Sequence, residues 1–444
     1  IATPRTIVKT LEINELKTLA CRKIEEHAPF IENIARQILS HPEVGFQEYK
    51  TSSLVSATLT DMGIPVKTNL AITGVKGKLS GEHEGPTISI LSELDALVVH
   101  DHPNADPVTN SAHACGHNCQ IAMMIGCMIG LNQEPILKNL YGSIVPFAVP
   151  AEEFINIPDR LALKRQGQIT FLGGKQELIS LGHFDDIDIA FMCHTASGSN
   201  EKVFAVGGSS TTHVTKIVTF SDLSESTTDS TQNAASFAIQ ALNYNRDLFK
   251  GEDTPRSHGI LIQPAENHTK QSQLEWRIRA SDLAALENYS RITDQCFRAA
   301  ALATGCEVTI ETTPGYLPMI NDTKLQSIFV SNSSKLLGNN RVITLNPSEK
   351  SGGSTDMGDL SHVIPVCHPY CTGASGTGHS NDYIIKNYNT AVINPAKIMS
   401  MVAIDLLSQQ AEGARQIIDQ FKQRLNRQQY TELQLGRFST SHYA

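Results

Sequence analysis

The residues best equipped for chemistry sit in Ser111-Ala-His-Ala-Cys-Gly-His-Asn-Cys-Gln120, where Cys115 and His117 flank a single glycine. Neighbours on one helical face lie three or four residues apart, so this pair cannot share one. In extended backbone, residues i and i+2 do point the same way. The turn reads as two soft or borderline metal ligands, followed by a run from Ile121 to Leu131 that is apolar enough for a buried helix. Asp95, Glu152, Glu153, His194 and His379 can join them. Thiolate, imidazole and carboxylate together suit Zn²⁺ or a similar divalent ion, and Mn²⁺ where oxygen ligands are numerous. One ion would use three or four of these residues and a pair nearly all, activating a bridging water between them. Adjacent Glu152 and Glu153 face opposite ways in extended backbone, so one can bind metal while the other takes a proton. A metal lowers the pKa of its ligand, so the base is the uncoordinated one.

The elements that must position these groups are legible from periodicity. Strands are expected at 73–79, 86–95, 142–149 and 187–194; the second ends at Glu93 and Asp95, the third runs into Pro150-Ala-Glu-Glu153, and the fourth ends at His194. Ligands of open α/β sheets gather at the carboxyl ends of strands, so three strands aim chemistry at one edge. Singly, each residue has a blander reading: Cys115 a small buried thiol, His194 a core histidine, the glutamates a solvated turn. Their joint placement at strand ends argues for one cleft.

Helices are expected at 14–40 and 51–62, separated by His41-Pro-Glu-Val-Gly-Phe-Gln-Glu48, a turn without a declared role. After Gly207-Gly208 the order becomes strand, helix, strand, strand, helix, strand, the split-βαβ pattern of ferredoxin-like domains. The expected fold is therefore α/β: a catalytic domain with a central mixed sheet over 1–207 and 319–444, and an inserted α+β domain over 208–318. Within the returning segment a helix is expected at 322–337, a glycine-rich stretch at 351–359, a polar loop carrying His379, and a long helix at 395–425.

A length of 444 residues implies more than one lobe, and 40% hydrophobic with 18% charged residues is a globular composition. A net charge of −9 without a basic stripe excludes a nucleic-acid surface. No uninterrupted apolar run long enough for a bilayer is seen, and residues 1–10 lack a secretory pattern, so no membrane partner is expected. Nine dispersed cysteines suit a reducing compartment, hence a cytoplasmic location; Cys367 and Cys371 read as free thiols near a turn.

Six motifs also resemble, in order, those of the metal-dependent aminoacylase and carboxypeptidase family: His41 to Glu48, Leu94-Asp-Ala-Leu97, His113-Ala-Cys-Gly-His-Asn118, Pro150-Ala-Glu-Glu153, Ser354-Thr-Asp-Met-Gly358 and Gly378-His-Ser380. More narrowly they resemble its amidohydrolase branch, which includes hippurate, auxin-conjugate and aminobenzoyl-glutamate hydrolases and β-alanyl dipeptidases. The resemblance implies two divalent ions, Zn or Mn, bound by Cys115, His117, Glu153, His194 and His379, with Glu152 as catalytic base; Asp95 beside it is expected to be a second catalytic residue. It also implies a small amide or peptide substrate and an inserted lid that forms a homodimer. Asn267 and Arg279 correspond to the family's lid residues that contact substrate, and Arg279 reads equally well as a member of a surface ion pair. One departure stands out: the family's lid histidine, followed by small residues, a proline and a glycine, has no counterpart in Ser221 to Asn233. That departure motivates a rival reading, a metal-binding pseudoenzyme or ligand-binding protein on the same fold.

Overall fold

The computed structural model describes residues 12–198, 201–222, 230–249, 255–262, 270–350 and 352–444. They form two compact units. The first holds Ile1–Gly207, Asn321–Pro347 and Ile364–Arg424; the second holds Gly208–Ile320, Ser348–Val363 and Leu425–Ala444.

The first unit is α/β, built on a mixed sheet of seven strands. Its centre is the strand His83–Glu93, parallel to Tyr141–Val149 on one side and to Ile189–Phe191 on the other, with Glu93 level with Val149. Val366–Cys367 then pairs parallel with Ile189–Phe191. Both faces of a parallel sheet must be covered, which explains the near-continuous burial of these strands. All fifteen residues of the helix His117–Leu131 are buried. Such a helix, apolar all round, is stable only when enclosed. Gly126 makes this possible, since a Cβ there would meet the Ala396 side chain at 3.0 Å.

Two expected helices are broken in the structure. The stretch expected at 14–40 divides at His27 into Ile13–Glu26 and Ala28–Leu39, because Pro29 suits the first turn of a new helix and not the interior of an old one. The helix expected at 395–425 ends at Leu407, where Gln409, Gln410 and Ala411 take left-handed backbone, and a separate helix, Glu412–Gln420, follows. Asn389–Leu407 is nevertheless long and apolar enough by length and composition to cross a membrane, contrary to the expectation from sequence. It is mostly buried within the protein and serves as a core helix.

The second unit follows the order Thr212–Ser221, Ser230–Tyr244, Arg256–Ile262, Gln271–Ala280, Leu283–Thr304, Glu307–Pro314. Its strands are antiparallel, with Thr212–Ser221 between Gln271–Ala280 and Glu307–Pro314. Burial alternates strictly along Gln271–Ala280, as expected when one sheet face carries the helices. Two segments outside 208–318 complete this unit. Ser439–Tyr443 adds a fifth strand beside Glu307–Pro314, and the helix Arg427–Gly436 anchors the residues after the glycine-rich stretch. That anchor is Asp359, fully buried, which accepts hydrogen bonds from Tyr430 Oη at 2.7 Å, Gln434 Nε2 at 2.6 Å and the Leu317 N–H at 3.2 Å.

Burial pushes the Asp359 carboxyl up to about 6, in spite of those donors. Its pKa is thus higher folded than unfolded, so its contribution is complete at pH below the ordinary value of 3.8 and is lost as pH rises through 6. Asp359→Asn is expected to remove this dependence. Hydrogen exchange of the Arg427–Gly436 amides between pH 4 and 7 should show the wild type losing up to roughly 3 kcal/mol of protection relative to the variant. Parallel curves for the two proteins would refute the assignment.

Candidate metal centre

All the candidate ligands lie in the first unit, and four of the site residues follow the carboxyl ends of its parallel strands. Asp95 follows His83–Glu93, Glu152 and Glu153 follow Tyr141–Val149, and His194 follows Ile189–Phe191. The Cys-Gly-His turn leads into the helix His117–Leu131. Gly116 is its N-cap in left-handed backbone, φ 87°, and a Cβ there would lie 2.0 Å from Thr195 Oγ1. Only glycine satisfies both conditions. His379 reaches the turn from the late loop, its N–H donating to the Ala114 carbonyl at 2.9 Å.

Cys115 is the hub. Its Sγ lies 3.3 Å from His194 Nε2 and 3.3 Å from His379 Nε2, and His379 Nε2 lies 3.4 Å from Glu153 Oε1. Donors around a tetrahedral divalent ion stand roughly 3.3–3.7 Å apart, given metal bonds of 2.0–2.3 Å. Three donor groups result: Cys115, His117 and His194; Cys115, Glu153 and His379; Glu93, His117 and Glu152.

The tautomers agree with this arrangement. His117 Nδ1 lies 2.8 Å from the Asp95 carbonyl and His194 Nδ1 lies 2.6 Å from the Thr195 carbonyl. A carbonyl only accepts, so each Nδ1 carries a proton and each Nε2 is the nitrogen turned to the cluster. Among the described residues, His117 Nε2, Glu153 Oε1 and Asp95 Oδ1 are buried polar atoms without a hydrogen-bond partner, a costly state that a cation relieves. Burial, and then the charge of His117, pushes the His194 imidazole down to about 4, so it is neutral as a ligand must be. Burial, then Glu153, pushes the Cys115 thiol up, so a thiolate here requires a cation beside it. The residues fit a divalent ion.

Three neighbours of the donor cluster were not among the expected site residues. Glu48, fully buried, accepts the Ala151 N–H at 2.8 Å and the Thr73 hydroxyl at 2.6 Å. It thereby clamps Ala151, whose φ of 54° swings the chain into Glu152-Glu153. Burial, then the Asp95 charge, pushes the Glu48 carboxyl up to about 8. Lys175 Nζ lies 2.6 Å from Glu93 Oε1, both side chains buried. Burial would raise the Glu93 carboxyl, but Lys175 and then His117 hold it down near about 2. His368, one residue past Val366–Cys367, is the fourth strand-end group. It is buried, its ring centroid is 5.9 Å from that of His194, and neither ring nitrogen has a hydrogen-bond partner among the described residues. Unlike the other two, His368 was open to detection, since it too comes after an apolar strand, Val366–Cys367.

Comparison with known proteins adds descent to geometry. No family model matches the chain. It is 26% identical over 450 residues to the Xaa-Arg dipeptidase of Mus musculus, covering 94% of this chain and 95% of that one. It is 32% identical over 188 residues to thermostable carboxypeptidase 1 of Saccharolobus solfataricus, covering 41% and 43%. Among solved structures, a dinuclear metal-binding peptidase of the M20 family from Bacillus subtilis aligns over 86% of this chain and 99% of its own, with a TM-score of 0.62 and 20% identity. The chain is a hydrolase of peptide or amide bonds. The resemblance drawn from the motifs is borne out by a relative that covers 94% of the chain, and the donor cluster supports use of divalent metal.

The remaining two residues lie elsewhere. Arg279 belongs to the second unit, on the strand Gln271–Ala280, and donates from Nη1 to the Gly352 carbonyl at 3.3 Å. Asn267 falls outside the described residues.

Gly116→Ala is expected to destabilise the protein by at least about 2 kcal/mol, since it combines strained backbone with a clash against Thr195. Urea denaturation checks this, and an unchanged midpoint would contradict the geometry.

Proposed function

We propose that this hydrolase is a two-metal amidohydrolase that cleaves an N-acyl amino acid, a dipeptide or a related conjugate, with Glu152 as general base. One observation carries the reading: Cys115 Sγ stands 3.3 Å from both His194 and His379, shared between two donor groups. The first ion would be held by Cys115, His117 and His194, the second by Cys115, Glu153 and His379. When bound, a pair of Zn²⁺ or Mn²⁺ ions supplies Lewis acidity and an acidified water.

The remaining work falls to side chains. Glu152 is buried and stands apart from the Cys115 groups, with its Oε2 3.9 Å from His117 Nε2. It is placed to take the proton of the attacking water and return it to the leaving amine. Asp95 orients His117 and Glu153 and touches no reacting atom in this scheme, so it is a positioning residue and not a catalytic one. The full-length likeness to a dipeptidase supports dipeptides among the substrates. Substrate contacts from Asn267 and Arg279, and a homodimer formed through the second unit, rest on the family resemblance alone.

Glu152→Gln is expected to retain the wild-type metal content while turnover falls about 10²- to 10⁴-fold. The assay is hydrolysis of Xaa-Arg and β-alanyl dipeptides, N-acyl amino acids and aminobenzoyl-glutamate, with elemental analysis of both proteins. Wild-type rates in the variant would remove Glu152 from the role. Two bound metals with no hydrolysis of any substrate by the wild type would favour the pseudoenzyme.

A further inference from the structure

The donor group Glu93, His117 and Glu152 is not used by that assignment, which leaves Glu93 without a task. Glu93 is the last residue of the central strand, and its N–H is held by Gln120 Oε1 at 3.1 Å. Its carboxylate divides its oxygens. Oε1 takes Lys175 Nζ at 2.6 Å, while Oε2 faces His117 Nε2 at 3.1 Å. His117 Nδ1 is engaged by the Asp95 carbonyl, and Nε2, buried and without a hydrogen-bond partner among the described residues, is the nitrogen turned toward Glu93 Oε2. Glu93, His117 and Glu152 each bring one ligand atom close enough to the other two for a single cation to lie within reach of all three.

The Lys175 ion pair uses only Oε1 and leaves Oε2 aimed at the His117 nitrogen that faces the donor cluster. Lys175 is itself fixed: the N–H of Gly174 donates to the Ala151 carbonyl at 3.1 Å, so the helix Gly174–Ser180 starts against the turn that presents Glu152 and Glu153. The ammonium selects which carboxylate oxygen turns inward and offsets one negative charge among several.

We propose that Glu93 is a further oxygen donor to the ion bound through His117 Nε2, with Lys175 as its positioning residue. The inference rests on the metal-centre reading above. An added carboxylate favours the harder ion, so the site is biased toward Mn²⁺ over Zn²⁺ relative to a Cys/His/Glu set without it.

Metal-free protein titrated with Mn²⁺, with free Mn²⁺ followed by electron paramagnetic resonance, and separately with Zn²⁺ by calorimetry, tests this. The wild type is expected to take up two Mn²⁺. Glu93→Gln should weaken one of them at least tenfold and Zn²⁺ by less. Since Glu93→Gln removes the carboxylate from beside a buried ammonium and can fail to fold, Glu93→Gln/Lys175→Gln is measured beside it, and loss of the same Mn²⁺ is expected there. Wild-type Mn²⁺ affinity at both sites in the double variant overturns the role of Glu93 and leaves the metal-centre reading intact. A wild-type protein that binds neither ion overturns both.

Discussion

Asp95 is the residue on which the centre depends. Its backbone carbonyl takes the His117 ring proton at 2.8 Å, and its Oδ2 takes the Glu153 N–H at 2.8 Å. One residue thus fastens the Cys-Gly-His turn to the Glu-Glu turn, and the two walls cannot drift independently. Burial disfavours its charge, but the adjacent His117 ring, then Arg160 and the Glu153 N–H, bring its carboxyl below the ordinary range. The ligands need their supporting partners as much as their own identity, because a loosely held imidazole loses both tautomer and direction.

A second constraint works against local preference. Ala151 holds left-handed backbone, a conformation that costs a non-glycine residue on the order of 1–3 kcal/mol. It persists because Glu48 grips its N–H and Gly174 donates to its carbonyl. The motif from His41 to Glu48, whose role the residues alone do not declare, is therefore part of the machinery that aims Glu152 and Glu153, reaching across 103 residues to do so.

The parts legible in the sequence share a physical character. Strands buried on both faces announce themselves as apolar runs, and the residues just past their ends can be read directly, which is how Asp95, Glu152, Glu153 and His194 emerged. Cys115 and His117 were visible because a two-residue spacing admits few structures. Glu48 and Lys175 were hidden for the opposite reason: a buried carboxylate or ammonium resembles a surface charge until its distant partner is known. The second unit shows the same limit. Its central strands and helices obey local periodicity, but its use of Tyr430, Gln434 and the strand Ser439–Tyr443 depends on pairings more than seventy residues apart, which no window of sequence contains.

The centre gathers Glu48, Glu93, Asp95, Glu152 and Glu153 within a buried volume, with Lys175 and Arg160 as the nearby cations. Desolvating so many carboxylates would be unfavourable for a protein selected for stability alone. Part of the charge is removed by protonation, as the raised Glu48 carboxyl shows, and part by the Lys175 ion pair. The charge that remains negative is concentrated on the side chains that face Cys115, His117 and His379, where a divalent cation finds ligands already held in place. The acidic interior is then stabilised by the ion it recruits, and the cost of keeping it without one is what makes binding selective for doubly charged metals.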